Sequence, residues 1–197
     1  MRLLALATLG ILASTASAQT QQASAAPRSA EQQIASAVLP LPTEFRATAS
    51  VLGHGADGRL TPLRRGAGPF VCLASDPMQE RFHVACYHRS LEPFMARGRE
   101  LRTSGITQLE QVDSARFAEV KAGRLKMPEH PAALYSLTGG RFDAATGTAP
   151  GARPLVVIYV PHATAESTGL SASPSGNTPW IMFPGTPKAH IMVTPSM

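Results

Sequence analysis

Hydrophobic and polar positions follow three different rhythms along this chain, and the changes between them mark its parts. Residues 3–12 are almost wholly apolar, with Arg2 before them and Ala16-Ser17-Ala18 after them. A basic start, a short apolar run and a small-x-small site in that order form the layout of a secretory signal over residues 1–18, predicted to be cut before Gln19. The run is far short of the roughly 20 apolar residues that a membrane-spanning helix needs. Residues 19–28, "QTQQASAAPR", carry nothing to bury and read as a flexible leader. The remainder, 29–197, is of a size for one globular domain.

Within that domain the pattern turns first helical, then alternating, then helical, then alternating again. Ser29 followed by Gln32 predicts a capped helix that ends before Pro40. From Ala47 the segments "ATASVLG" and "RLTPLRR" flank "HGADG", which predicts a hairpin with Asp57-Gly58 at its turn and Pro62 confining the second strand to an edge or a bulge. "FVCLAS" and "RFHVACYH" predict two more strands joined by the turn "DPMQE". Ser90 is expected to cap a helix over "LEPFMARGRELR", with Leu91, Phe94, Met95 and Leu101 near one face and Gly105 ending it. Thr107 and Glu110 suggest a second capping box opening "QLEQVDSARFAEVKAGRL", with Gly123 at its end. "AALYSLTG", "RPLVVIYVP", "PWIMF" and "HIMVT" complete the strands. The expected fold is a single α+β domain on a mostly antiparallel sheet, with its two longest helices inserted mid-chain.

Charge narrows the partners. The formal net charge is +5, from 18 basic and 13 acidic residues, with Arg2 of the signal among them. The mild basic excess fits an exported protein near anionic envelope polymers, and a solvated surface explains it at least as well; with the arginines scattered in small groups and no Lys/Arg block, it is too weak to argue for nucleic acid. The longest later apolar run, Leu155 to Val160, suits a buried strand, so no integral membrane segment is expected once the signal is removed.

The two cysteines, Cys72 and Cys86, fall in neighbouring predicted strands. On the second of these, Phe82, Val84, Cys86 and His88 share one face and His83, Ala85 and Tyr87 the other. His83 and Cys86 therefore do not converge on a metal. In an oxidising compartment the simplest reading of the cysteine pair is a disulfide.

Candidate chemistry is sparse. His88 stands between a strand and a helix, a junction that can hold a functional side chain in place. In "VPHATAESTGL", directly after the most apolar strand, a helical turn would set His162 beside Glu166. Such a pair could bind a divalent ion, or the carboxylate could orient the imidazole for acid–base work, with His190 a third ligand. Met182 and Met192, near His190, would suit a soft ion such as copper, although core packing accounts for them as well. No nucleophile elbow, phosphate loop, HExxH or EF-hand motif occurs. Two classes of function follow. One is a non-enzymatic exported module, periplasmic or secreted, that needs no cofactor and binds an envelope component or small ligand. The other is a small envelope metal-binding protein or hydrolase centred on His88, His162, Glu166 and His190.

Overall fold

Helix α1, Ala30–Ala37, begins at the expected serine: Ser29 Oγ accepts the Gln32 N–H at 3.2 Å. The computed structural model describes residues 29–174 and 176–195, and the expected signal and leader, 1–28, lie outside the described residues. After a short helix α2, Thr43–Arg46, the alternating segment forms the antiparallel hairpin of β1, Ser50–His54, and β2, Leu60–Arg64. Asp57 and Gly58 lie in its turn, closed by the Gly58 N–H to the Gly55 carbonyl at 3.0 Å. Pro62 is tolerated because β2 is the outermost strand, where a missing N–H breaks no interior ladder.

Six further strands follow: β3, Phe70–Leu73; β4, His83–His88; β5, Ala132–Thr138; β6, Arg153–Tyr159; β7, Trp180–Met182; and β8, His190–Val193. They complete one eight-stranded sheet in the order β2-β1-β3-β4-β5-β6-β8-β7. Every neighbouring pair is antiparallel except β1 and β3. After β2 the chain returns to the end where β1 began, so β3 must run alongside β1 in the same direction. The fold is α+β on a mostly antiparallel sheet, as the pattern of segments implied.

Alternation along β3 and β4 divides the core into two layers. On one face Val51, Phe70, Cys72 and Cys86 pack beneath Ala37, Val38 and Leu41 of the α1 region. On the other Val71, Tyr87, Val157 and Tyr159 pack beneath Leu91 and Met95. That second face carries a 3-10 turn, Arg89–Leu91, then α3, Glu92–Thr103, and α4, Leu109–Lys121. Both helices end where the glycines predicted. Gly105 at φ 96° and Gly123 at φ 71° take the left-handed conformation that lets the last carbonyls be satisfied from beyond the helix.

Two helix starts differ from expectation. Ser90 does not cap α3; it lies inside the 3-10 turn, and His88 is the cap, its Nδ1 accepting the Ser90 N–H at 3.3 Å. Thr107 does not cap α4 either: the cap position is Gln108, which makes no side-chain bond. In the first case the 3-10 turn Arg89–Leu91 is interposed between the strand and α3, and in the second the helix starts one residue later than the threonine would place it.

The cysteines meet as read. Cys72 and Cys86 are directly opposite across β3 and β4, with their Cα atoms 4.0 Å apart, and are bonded to each other. Both are fully buried, and Cys86 Sγ lies 3.1 Å from the Ala37 carbonyl oxygen, so the bond sits at the contact between sheet and α1.

Candidate functional site

Polar chemistry concentrates on one seam, where α4 meets the turns that follow β6 and β7. The inward face of α4 is not the apolar stripe of an ordinary surface helix; it is Val112, Asp113 and Arg116. Asp113, Arg116 and, from the loop before β8, Lys188 are each at most 9% exposed. Charges that deep persist only when paired. Asp113 Oδ1 pairs with Arg116 Nη2, and Asp113 Oδ2 receives Lys188 Nζ at 2.8 Å. Burial raises the Asp113 pKa, but hydrogen bonds and charge from Lys188 and Arg116 outweigh it, and the carboxyl is held below its ordinary value.

Aromatic rings take up the rest of the positive charge. The Arg116 guanidinium lies 3.8 Å over the Phe94 ring and donates to the Phe94 carbonyl at 3.2 Å. Lys188 Nζ is 4.2 Å from the Phe183 ring centre. Among the described residues Arg116 Nε is the buried side-chain nitrogen left without a hydrogen bond. Its guanidinium's stacking on Phe94 is the compensation available to it.

His190 closes the inner end of the seam. Its Nδ1 lies 2.7 Å from the Lys188 carbonyl, which can only accept, so Nδ1 carries the proton of the neutral ring. The rings of Tyr159 and Phe183 flank it at 5.1 Å and 5.6 Å. Burial lowers its pKa, the bond to the Lys188 carbonyl opposes this, and the Lys188 charge adds to the lowering. The Tyr159 hydroxyl is pushed up to about 12, chiefly by burial.

At its outer end the seam opens into a cleft of about 330 Å³ lined by Phe117, Val120 and Lys121 of α4 together with His162, Gly185 and Pro187. The two turns that form its far wall are laced together. His162 N–H donates to the Thr186 carbonyl at 2.9 Å, Gly185 N–H to Ala163 at 2.8 Å, and Val160 N–H to Ala189 at 2.9 Å. His162 at φ 64° and Phe183 at φ 52° are the non-glycine residues with left-handed backbone among those described. Such a conformation is costly for a side-chain-bearing residue and survives where its surroundings impose it, often at ligand-binding positions.

The four residues singled out from the sequence are not brought together. His88 ends β4 on the α1 face, against Phe70, with Nδ1 engaged by Ser90. His190 opens β8 on the other face, and β5 and β6 lie between the two strands, which separates them by about 14 Å at the usual strand spacing. His162 does not belong to a helical turn with Glu166. The helix α5, Ala165–Thr168, starts only at the Thr164 cap, so the four-residue spacing spans a non-helical bend, and both side chains are exposed. Among the described residues no three His, Cys, Asp or Glu side chains gather as a metal site requires. Met182 does stand directly across from His190, and Met192 lies two residues along from it on the same face.

Asp113, Arg116 and Lys188 were invisible to the sequence reading. Asp113 and Arg116 stand three apart in α4, but nothing local indicates that this face turns inward to meet Lys188, 75 residues later. No family model, no curated protein and no solved structure matches this chain.

Proposed function

We propose that this is an exported binding module of the cell envelope, with the cleft between α4 and the His162 and Gly185 turns as its ligand seat. The carrying observation is the division of labour along the seam. Asp113, Arg116, Lys188 and His190 are spent on one another and on backbone and aromatic partners. The cleft itself offers one ammonium, Lys121, and one imidazole, His162, above the apolar Phe117, Val120 and Pro187. A cation beside an apolar floor recognises a small ligand with an acidic group and a hydrophobic body; it lacks the nucleophile and paired acid that bond-breaking would need. The secretory layout of residues 1–18 and the Cys72–Cys86 bond support export.

The test is an NMR titration of the purified protein with octanoate as probe. The amides of Lys121, His162 and Gly185 should shift together and saturably, and Lys121→Ala should abolish saturation while leaving the rest of the spectrum in place. No shift at millimolar octanoate removes the cleft as a seat. Hydrolysis of a simple ester or phosphate, or retention of zinc or copper, that is lost in both His162→Ala and Glu166→Ala would replace this reading with the enzymatic or metal-binding one.

A further inference from the structure

The arginines divide by the kind of group that holds them. Every ion pair among the described residues lies on α3, α4 and the loop before β8: Arg97 with Glu100 and Glu119, Arg99 with Glu92, and Arg116 and Lys188 with Asp113. At the other edge of the sheet, where β1 and β3 begin and β2 and β4 end, the guanidinium groups are held by backbone carbonyls instead. Arg46 donates to Leu41 and Leu39 at 2.8 Å and 2.9 Å. Arg64 donates to Ala49 and to the Arg46 carbonyl at 2.9 Å and 2.6 Å. Arg89 donates to Gly66 and Gly68, both at 2.9 Å, and to Ser50 Oγ at 3.2 Å. Arg65, between them, is exposed.

A carbonyl fixes the direction of a guanidinium without cancelling its charge. Four positive charges thus stand on segments 42–50, 64–70 and 88–90, whose one carboxylate, Glu44, forms no ion pair with another described residue. The corner is also built to be stiff. A Cβ on Gly66 would come within 2.1 Å of the Thr48 carbonyl oxygen, and one on Gly68 within 2.3 Å of Thr48 Oγ1. Only glycine lets the 65–69 loop lie this close to the start of β1, so the arginines are presented from a fixed surface. Holding long side chains in place beforehand removes much of the entropy that binding would otherwise lose.

We infer that this corner is a docking surface for a polyanionic polysaccharide carrying sulfate or phosphate groups. The carbonyl bonds occupy the Nε–Nη2 sides of Arg46, Arg64 and Arg89, so these three act through their charge while the exposed Arg65 can match an oxyanion directly, and four charges spread along the strand ends suit repeating anionic groups better than a single ion. A bilayer fits less well. The exposed large apolar side chains among the described residues are Met78, Leu109 and Phe183, none of them in the corner, so nothing there could insert among lipid tails. This surface is separate from the cleft, and its test does not depend on the cleft.

The experiment measures binding of the purified chain to a heparin oligosaccharide, as polyanion probe, by calorimetry across a salt series. Arg65→Ala should weaken binding about fivefold and lower the slope of log affinity against log salt by about one. Arg89→Gln, which keeps donors for Gly66 and Gly68, should do the same with an unchanged melting temperature. Arg141→Ala, in the loop at the opposite end of the strands, should change neither quantity. Equal losses from all three variants would reduce the effect to net charge and overturn the inference. So would the absence of heparin binding at physiological salt, or binding to phosphatidylglycerol vesicles in its place.

Discussion

Toward its two edges the sheet is tied together by different chemistry. Toward the β2 edge the tie is covalent: the Cys72–Cys86 disulfide joins β3 to β4 on the face that α1 covers, within the apolar cluster of Val51, Phe70 and Leu41. Toward the β7 edge it is ionic: Asp113 of α4 holds Lys188 from the loop before β8 and Arg116 of its own helix, with Tyr159 and His190 stacked nearby. A disulfide acts mainly by restricting the unfolded chain and is indifferent to pH. The ion triad acts only in the folded state, and only while Asp113 is charged. The ionic tie therefore depends on its groups remaining matched, whereas the covalent one does not. The cleft lined by Phe117, Lys121 and His162 opens at the polar end.

Three measurements would break or sharpen this contrast. Asp113→Asn should have the largest effect, because it leaves Lys188 and Arg116 buried against a neutral group. Removing one partner of a buried charge network costs about 3–5 kcal/mol, and the denaturant midpoint should fall accordingly. A loss well under about 1 kcal/mol would mean that water reaches the triad and that it is no lock.

Replacing both cysteines by serine should cost about 3 kcal/mol, the chain-entropy value for a closed loop of about 15 residues. The difference between this variant and the parent should stay the same from neutral to acid pH. A difference that grows as pH falls would tie the two ends together.

The smallest effect is the pH dependence of the parent itself. Burial keeps the His190 imidazole neutral below its ordinary value of 6.5. The unfolded chain therefore binds protons that the folded chain refuses. Stability is complete above about pH 6.5 and declines as pH falls below it, by at most about 1.4 kcal/mol per pH unit for each such proton. Asp113 adds a second decline at lower pH. Its folded value is depressed, so its contribution is present above the ordinary value of 3.8 and is lost as pH falls through the folded one. His190→Gln should flatten the first decline and leave the second. Unaltered slopes in that variant would mean that His190 is solvated.

The apolar end was the more legible of the two in the sequence, for a local reason. Cys72 and Cys86 flank a short turn, and strand alternation then dictates that both face one way, so their meeting followed from two neighbouring segments. The polar end joins α4 to a loop 75 residues away, and no periodicity reports such a meeting. His162 and Glu166 show the opposite failure. Their spacing suggested a helical turn, but the chain bends at φ 64° on His162 to bond with Thr186, and the pair never forms as a helical one. His88 stood out as a junction residue, and it serves there as the cap of the following turn.

What the sequence determined by itself is whatever a few residues decide among themselves. Examples are the Ser29 cap, the Asp57-Gly58 turn, the confinement of Pro62 to an edge, the glycine stops after α3 and α4, and the facing of Cys86 toward Cys72. These follow from backbone sterics and short-range hydrogen bonds, whose ranges are shorter than the segments involved. Tertiary structure alone decided that β3 runs parallel to β1, that α4 turns Asp113 and Arg116 inward to meet Lys188, and that Arg46, Arg64 and Arg89 share one corner. Each of those depends on which distant surfaces are buried together. Burial forces Asp113, Arg116 and Lys188 to pair, whereas the half-buried or exposed Arg46, Arg64 and Arg89 rest on backbone carbonyls with no ion-pair partner among the described residues.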